Sequence, residues 1–100
     1  VTIVINGTIT IDPARKDEAY AAAVAMQEAT WKEAGCLHYV FSADLSDPSK
    51  LHIAEKWVSM DDLNAHFTEP HMATFGAAMK GIIQGVNVVK YEIASEGPVR

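Results

Sequence analysis

Apolar residues recur along this chain with two different periods, and the switches between them mark out its elements. From Thr2 to Ile11 (TIVINGTITI), Ile3, Ile5, Ile9 and Ile11 share one phase, while Thr2, Val4, Asn6, Thr8 and Thr10 fill the other. Alternation with β-branched enrichment predicts a strand. Gly7, in its middle, is a candidate bulge that would swap the faces beyond it and so decide where Asn6 points.

The period then lengthens. Asp12-Pro13 reads as an N-cap followed by the first helical residue, where a missing N–H costs nothing. The Ala-, Glu-, Lys- and Gln-rich run from Ala14 to Ala34 predicts a helix that stops at Gly35. Tyr20, Val24, Gln27 and Trp31 recur at helical spacing and are expected to form its inward stripe, with Ala23 and Met26 beside them.

Cys36 to Ala43 and Leu51 to Trp57 read as two strands joined by the turn-rich segment from Asp44 to Lys50. A hairpin centred near Asp47 places Phe41 opposite Ile53, Tyr39 opposite Glu55 and Leu37 opposite Trp57. That face is apolar except for Glu55; the other carries His38, Val40, Ser42, His52, Ala54 and Lys56. Ser59 with Asp62 resembles a capping box and predicts a short helix through Phe67. Pro70 breaks the pattern, a second helix is expected from His71 to about Lys80, and Gly81 and Gly85 bracket the exit. Val86 to Ile93 predicts the last strand, and 95–100 reads as a loose tail on a single domain spanning 1–100.

The order β-α-β-β-α-β predicts an α+β, ferredoxin-like fold, a four-stranded antiparallel sheet with helices on one face. The strands nevertheless carry apolar residues on both phases: Ile3, Ile5 and Ile9 against Val4, and Val86 and Val88 against Val89, Tyr91 and Ile93. Helices cover only one side, so a second copy is expected on the other, as a homodimer.

Composition narrows the function. With 100 residues, 49% of them hydrophobic and 21% charged, the chain is no candidate for disorder. Its net charge of −5, with basic residues scattered, argues against nucleic acid and against anionic membrane surfaces. No apolar run reaches the roughly 20 residues that span a bilayer. No signal-peptide pattern opens the chain, and its start at Val1 is expected to reflect a removed methionine or trimming. The lone Cys36 excludes an internal disulfide, and a cytoplasmic setting is the default expectation.

The densest chemistry lies between Glu55 and Phe75. His66 and His71 flank the helical break, and an imidazole near a helix N-terminus is favoured in its neutral form, able to accept, donate or act as a base. Trp57, Phe67, Met72 and Phe75 could line an apolar cavity for a small aromatic. The plainer alternative is that both histidines bond orphan backbone groups or face water, and that Trp57 and Phe75 are core. Glu55, a carboxylate on an apolar phase, needs a partner, with Tyr39 opposite it. No metal site is expected, because His66 and His71 are not spaced i, i+4 on one helix, and His38 and His52 fall on separate strands. No phosphate loop, nucleotide fingerprint or serine elbow appears.

Gly35-Cys36-Leu37-His38-Tyr39, Glu55-Lys56-Trp57, and Leu63-Asn64-Ala65-His66-Phe67-Thr68-Glu69-Pro70-His71 through Phe75 together resemble the antibiotic biosynthesis monooxygenase (ABM) domain family. The resemblance runs from the first strand to Ile93. It implies a dimeric α+β barrel with a ligand cavity between each sheet and its own helices. Members of that family oxidise phenols or quinols with dioxygen without metal or flavin, or degrade haem; a relative isomerises a phosphorylated signalling molecule. Of three positions that mark the haem branch, Asn6 matches, His66 stands where a Trp is needed, and Gly76 where an axial His is needed. The resemblance therefore implies a cofactor-independent monooxygenase acting on a small phenolic or quinol-type aromatic and dioxygen. Its catalytic residues would be His66, His71 and Asn6, and its cavity would be formed by Trp57, Phe75, Met72 and Phe67. A non-oxidising isomerase or a binding or stress-response module on the same scaffold is the alternative.

Overall fold

The computed structural model describes residues 1–100. Strand β1 (Ile3–Ile11) leads through a 3-10 turn at Pro13–Arg15 into helix α1 (Lys16–Thr30). Strands β2 (Cys36–Ala43) and β3 (Lys50–Trp57) form the hairpin, the short helices α2 (Met60–His66) and α3 (Pro70–Met79) follow, and β4 (Ile83–Glu92) ends the fold. The antiparallel sheet runs β2-β3-β1-β4, the ferredoxin-like arrangement expected.

Local chemistry sets most boundaries. The Asp12 carboxylate accepts from the Ala14 N–H, and Pro13 follows it. Ser59 Oγ accepts from the Asp62 N–H and donates to Asp62 Oδ2, closing the cap of α2. Pro70 occupies the first turn of α3. Helix α1, however, ends at Thr30 rather than Ala34, and 31–35 form turns that finish at Gly35 with φ +80°. Strand β4 begins at Ile83, so Gly85 lies within it.

Two register expectations change. There is no bulge at Gly7: β1 pairs without interruption with β3 from Ile3 to Thr10, and its irregularity against β4 falls between Thr10 and Ile11. Gly7 is there for closeness, because a Cβ would lie 2.2 Å from the Asn87 carbonyl oxygen and 2.5 Å from Val88 Cα. The hairpin pairs Phe41 with Ile53 and Tyr39 with Glu55, but a shift between Cys36 and His38 sets Cys36 opposite Trp57 and leaves Leu37 exposed.

The stripe of α1 is also displaced. Ala19, Ala23, Met26 and Thr30 are buried, whereas Val24 and Trp31 are about half exposed. The small residues let α1 sit close to the sheet. The neighbouring stripe faces the outer margin of β2, where Trp31 Nε1–H donates to the Tyr39 carbonyl (2.7 Å) and Gln27 Oε1 accepts from the Phe41 N–H (3.1 Å). Side chains of a helix thus occupy backbone groups that an edge strand would leave bare.

The helix-side face of the sheet holds Ile3, Ile5, Ile9, Ile11, Leu51, Ile53, Glu55, Trp57 and Tyr39, all buried. The helical layer stops short of β4, whose Val86 and Val88 share that face yet stay exposed. On the other face, Val89 and Tyr91 are exposed as well.

Candidate functional site

Three separate elements bring side chains to one point. Glu33 comes from the turn after α1, His66 is the last residue of α2, and His71 lies in the first turn of α3. His66 Nδ1 is 2.7 Å and His71 Nε2 is 2.6 Å from the same carboxylate oxygen, Glu33 Oε2. A carboxylate can only accept, so each imidazole donates at that nitrogen, which fixes both tautomers. The His66 and Glu33 side chains are 2% and 8% exposed, so this pairing is made out of bulk water. The early end of α1 is what frees Glu33 to turn inward.

His66 joins this cluster to a second one. Its ring lies 4.8 Å from Trp57 and 5.4 Å from Tyr39, centroid to centroid. Trp57, fully buried, donates from Nε1 to Glu55 Oε1 at 2.9 Å. Every fully buried side-chain nitrogen and oxygen has a partner, so Glu55 Oε2, which has none, reaches accessible space. Glu55 lines a cavity of about 370 Å³ between α2 and β4, together with Ile5, Met60, Leu63, Phe67, Val88 and Val89 and with Lys90, whose ammonium lies 3.7 Å from Met60 Sδ. Burial pushes the Glu55 carboxyl above its ordinary range and nearby Glu33 adds to this, against the Trp57 N–H and the His66 ring. Burial likewise, aided by Glu55 and Glu33, holds the Tyr39 phenol far above its usual value.

The expected site residues divide. His66 and His71 converge, on Glu33 rather than on a backbone carbonyl or on water. Phe67 lines the α2/β4 cavity, and Trp57 backs it from the core. Met72 and Phe75 pack against the same core from α3. Phe75 and His71 also wall a second, apolar cleft of about 380 Å³ between α1 and α3. Asn6 joins neither: the unbroken register keeps it out of phase with Ile5 and Gly7, exposed on the face opposite the helices. The catalytic role the resemblance implies for it beside His66 and His71 is therefore not available within one chain. Glu33 and the cavity-facing side of Glu55 add to the expected set, since from its strand phase alone Glu55 has only a structural pairing with Tyr39. Glu55's place on an otherwise apolar phase was the available signal, and Glu33 offered none. The expectation of no converging ligand group also changes, because Glu33, His66 and His71 put three donor atoms within 4.8 Å of one another.

A family model described as antibiotic biosynthesis monooxygenase matches residues 2–78. A protein of Synechocystis sp., itself uncharacterized, is 30% identical over 73 residues, or 73% of this chain; the chain spans about half the length of this curated relative. Among solved structures, a Deinococcus radiodurans protein bearing the same family name superposes with TM-score 0.89 at 24% identity over 98% of each chain. Rv0793 of Mycobacterium tuberculosis gives 0.87 at 21% identity, over 98% of this chain and 100% of that one. PA3566 of Pseudomonas aeruginosa gives 0.85 at 24%, over 93% and 95%. With the fold shared and most of the sequence matched, the chain belongs to the antibiotic biosynthesis monooxygenase family.

Proposed function

We propose that this chain is a monooxygenase that takes a small phenolic or quinol-type aromatic into the α2/β4 cavity and oxidises it with dioxygen. The observation that carries this reading is Glu55: one carboxyl with a raised pKa and a free oxygen on a wall whose only other polar residue is Lys90. A base whose pKa is lifted toward the working pH removes a hydroxyl proton more effectively. The phenolate left behind is electron-rich and gives its electrons to dioxygen. The overall change balances as phenol plus O2 giving quinone plus water, so the substrate is the only reductant needed. His66 and His71 act behind Glu55 in this scheme: with Glu33 they fix the His66 ring, which packs on Trp57, and Trp57 holds the carboxyl. Phe67, Ile5 and Val88 supply the apolar contact surface. Membership of the family supports the reaction class, and the cavity's size and lining support a small aromatic.

Oxygen-electrode measurements with a panel of hydroquinones, naphthols and anthrones are expected to show substrate-dependent uptake, with kcat lowered about 10²-fold or more in Glu55→Gln. No uptake with any of them, or full activity in the variant, would overturn the proposal. The same lone carboxyl also suits a proton-transferring isomerase. That second reading predicts solvent deuterium incorporation into the substrate with no oxygen consumed.

We further infer that two copies pair through the open face of the sheet, where Val89 and Tyr91 are exposed beside Val4 and Val40. Light scattering is expected to give twice the 10.9 kDa chain mass. The monomer mass at tens of micromolar would refute it.

A further inference from the structure

Two imidazoles and a carboxylate converging from three elements touch no substrate in the oxidation proposed above, and they form a recognisable donor set. Both histidine nitrogens and the Glu33 oxygen lie within 4.8 Å of one another. Glu33 Oε1 and His66 Nε2 have no protein partner, and neither is completely sealed, although His66 is almost wholly buried. Three protein donors with positions left over for water are the pattern of imidazole-carboxylate sites for borderline divalent ions such as Zn2+, Co2+, Ni2+ or Fe2+, not for oxygen-seeking Ca2+ or Mg2+.

The charge distribution points the same way. Glu33 and Glu55 are both largely buried, and each adds to the electrostatic load on Tyr39. No lysine or arginine is buried anywhere in the chain, and the two ion pairs that Lys and Arg make, Arg15–Glu18 and Lys56–Glu96, lie elsewhere on the surface. The interior between α1, α2 and β3 thus gathers two carboxyl groups bonded by imidazoles and the Trp57 indole, with no ammonium or guanidinium on either.

We propose that Glu33, His66 and His71 form a binding site for one borderline divalent metal ion, closing the α1 turn onto the α2–α3 junction. The movement required is small. Donors at about 2.1 Å from a tetrahedral ion lie roughly 3.4 Å apart. The separations from Glu33 are 2.7 and 2.6 Å, so Glu33 withdraws by under about 1 Å by side-chain rotation, while the two imidazole nitrogens, within 4.8 Å of each other, settle to the same spacing. Each imidazole proton moves to the ring's other nitrogen as the metal takes its place; for His66 that nitrogen is the unpartnered Nε2. His71 is the access side, 18% exposed and on the wall of the α1/α3 cleft. This site does not rest on the reaction proposed above and stands or falls separately.

The test is Zn2+ titration of chelator-washed protein by calorimetry, with Co2+ absorption as a second readout. One ion per chain is expected at micromolar or tighter Kd, with visible Co2+ bands and a raised Tm. Glu33→Gln and His71→Ala, both checked for a native circular-dichroism spectrum, are each expected to weaken binding at least tenfold, whereas His52→Ala leaves it unchanged. His71→Ala removes a part-exposed side chain and keeps the test meaningful if Glu33→Gln fails to fold. No binding at millimolar Zn2+, or binding retained in a folded Glu33→Gln or His71→Ala variant, would overturn the proposal.

Discussion

Replacing Gly7 with alanine tests the close approach of β1 to β4. The added methyl carbon meets backbone, not a flexible side chain: 2.2 Å to the Asn87 oxygen, 2.5 Å to Val88 Cα and 3.0 Å to the Asn87 carbonyl carbon. Ordinary carbon contacts are near 3.5–4.0 Å, so the strands must part by more than about 1 Å locally. Neither strand can yield cheaply, because the ladder is continuous on both sides, from Ile3–Glu92 to Thr10–Gly85. Overpacking of a rigid site costs about 1–3 kcal/mol, and here the upper end applies because backbone must shift. A domain of this size holds about 5–15 kcal/mol in all, so Gly7→Ala is expected to remove a substantial fraction of its stability. Urea unfolding gives the loss from the midpoint, and amide exchange locates it. Protection should fall along β4 and hold in the β2–β3 hairpin. Because Val88 also walls the α2/β4 cavity, ligand affinity should fall with it. A variant within about 0.5 kcal/mol of the parent, with β4 protection intact, would refute the argument, since that is the range of an innocuous surface change.

Glu55→Gln should alter the pH dependence of stability. The folded carboxyl titrates above its ordinary value of 4.5, so the folded state holds that proton more tightly than the unfolded state. Its contribution is complete below pH 4.5 and is lost as pH rises through the folded pKa; glutamine keeps the Trp57 hydrogen bond without that loss. Denaturation across pH 4–8 should therefore show a flatter profile in the variant, and identical slopes would contradict the assignment. Trp31→Phe removes the indole donor to the Tyr39 carbonyl while keeping the ring's bulk, and should cost about 1 kcal/mol. Urea unfolding checks it, and an unchanged midpoint would show that water replaces the bond without loss.

Punctuation and pairing were legible in the sequence. Asp12-Pro13, Ser59 with Asp62, Pro70 and Gly35 act through their own backbone or a neighbour's, so their effect can be read from a few residues. The pairing of Tyr39 with Glu55 followed from centring one turn. The buried stripe of α1 lies one residue out of phase with its conspicuous residues, because it is built from Ala19, Ala23, Met26 and Thr30. Tyr20, Val24, Gln27 and Trp31 are larger and more conspicuous, but Gln27 and Trp31 serve the β2 margin instead. Leu37 and Trp57 slipped apart because a single-residue shift leaves no mark in composition. Glu33 was beyond reach for a different reason. Its role depends on three elements meeting, and on a helix ending four residues before its composition required. Asn6 turned on whether Gly7 lengthened the strand, which only the neighbouring backbone of β4 decides.

Gln27 and Trp31 do more than satisfy two backbone groups. They make the two margins of the sheet unequal: β2 has two of its outward backbone groups taken by side chains from the end of α1, and β4 pairs only with β1. A sheet with a single open margin can be lengthened in one direction only. Two copies that join margin to margin consume both open strands at once and present nothing for a third. Growth into an indefinite ribbon is thereby opposed at its first step, by two side chains at the C-terminal end of α1.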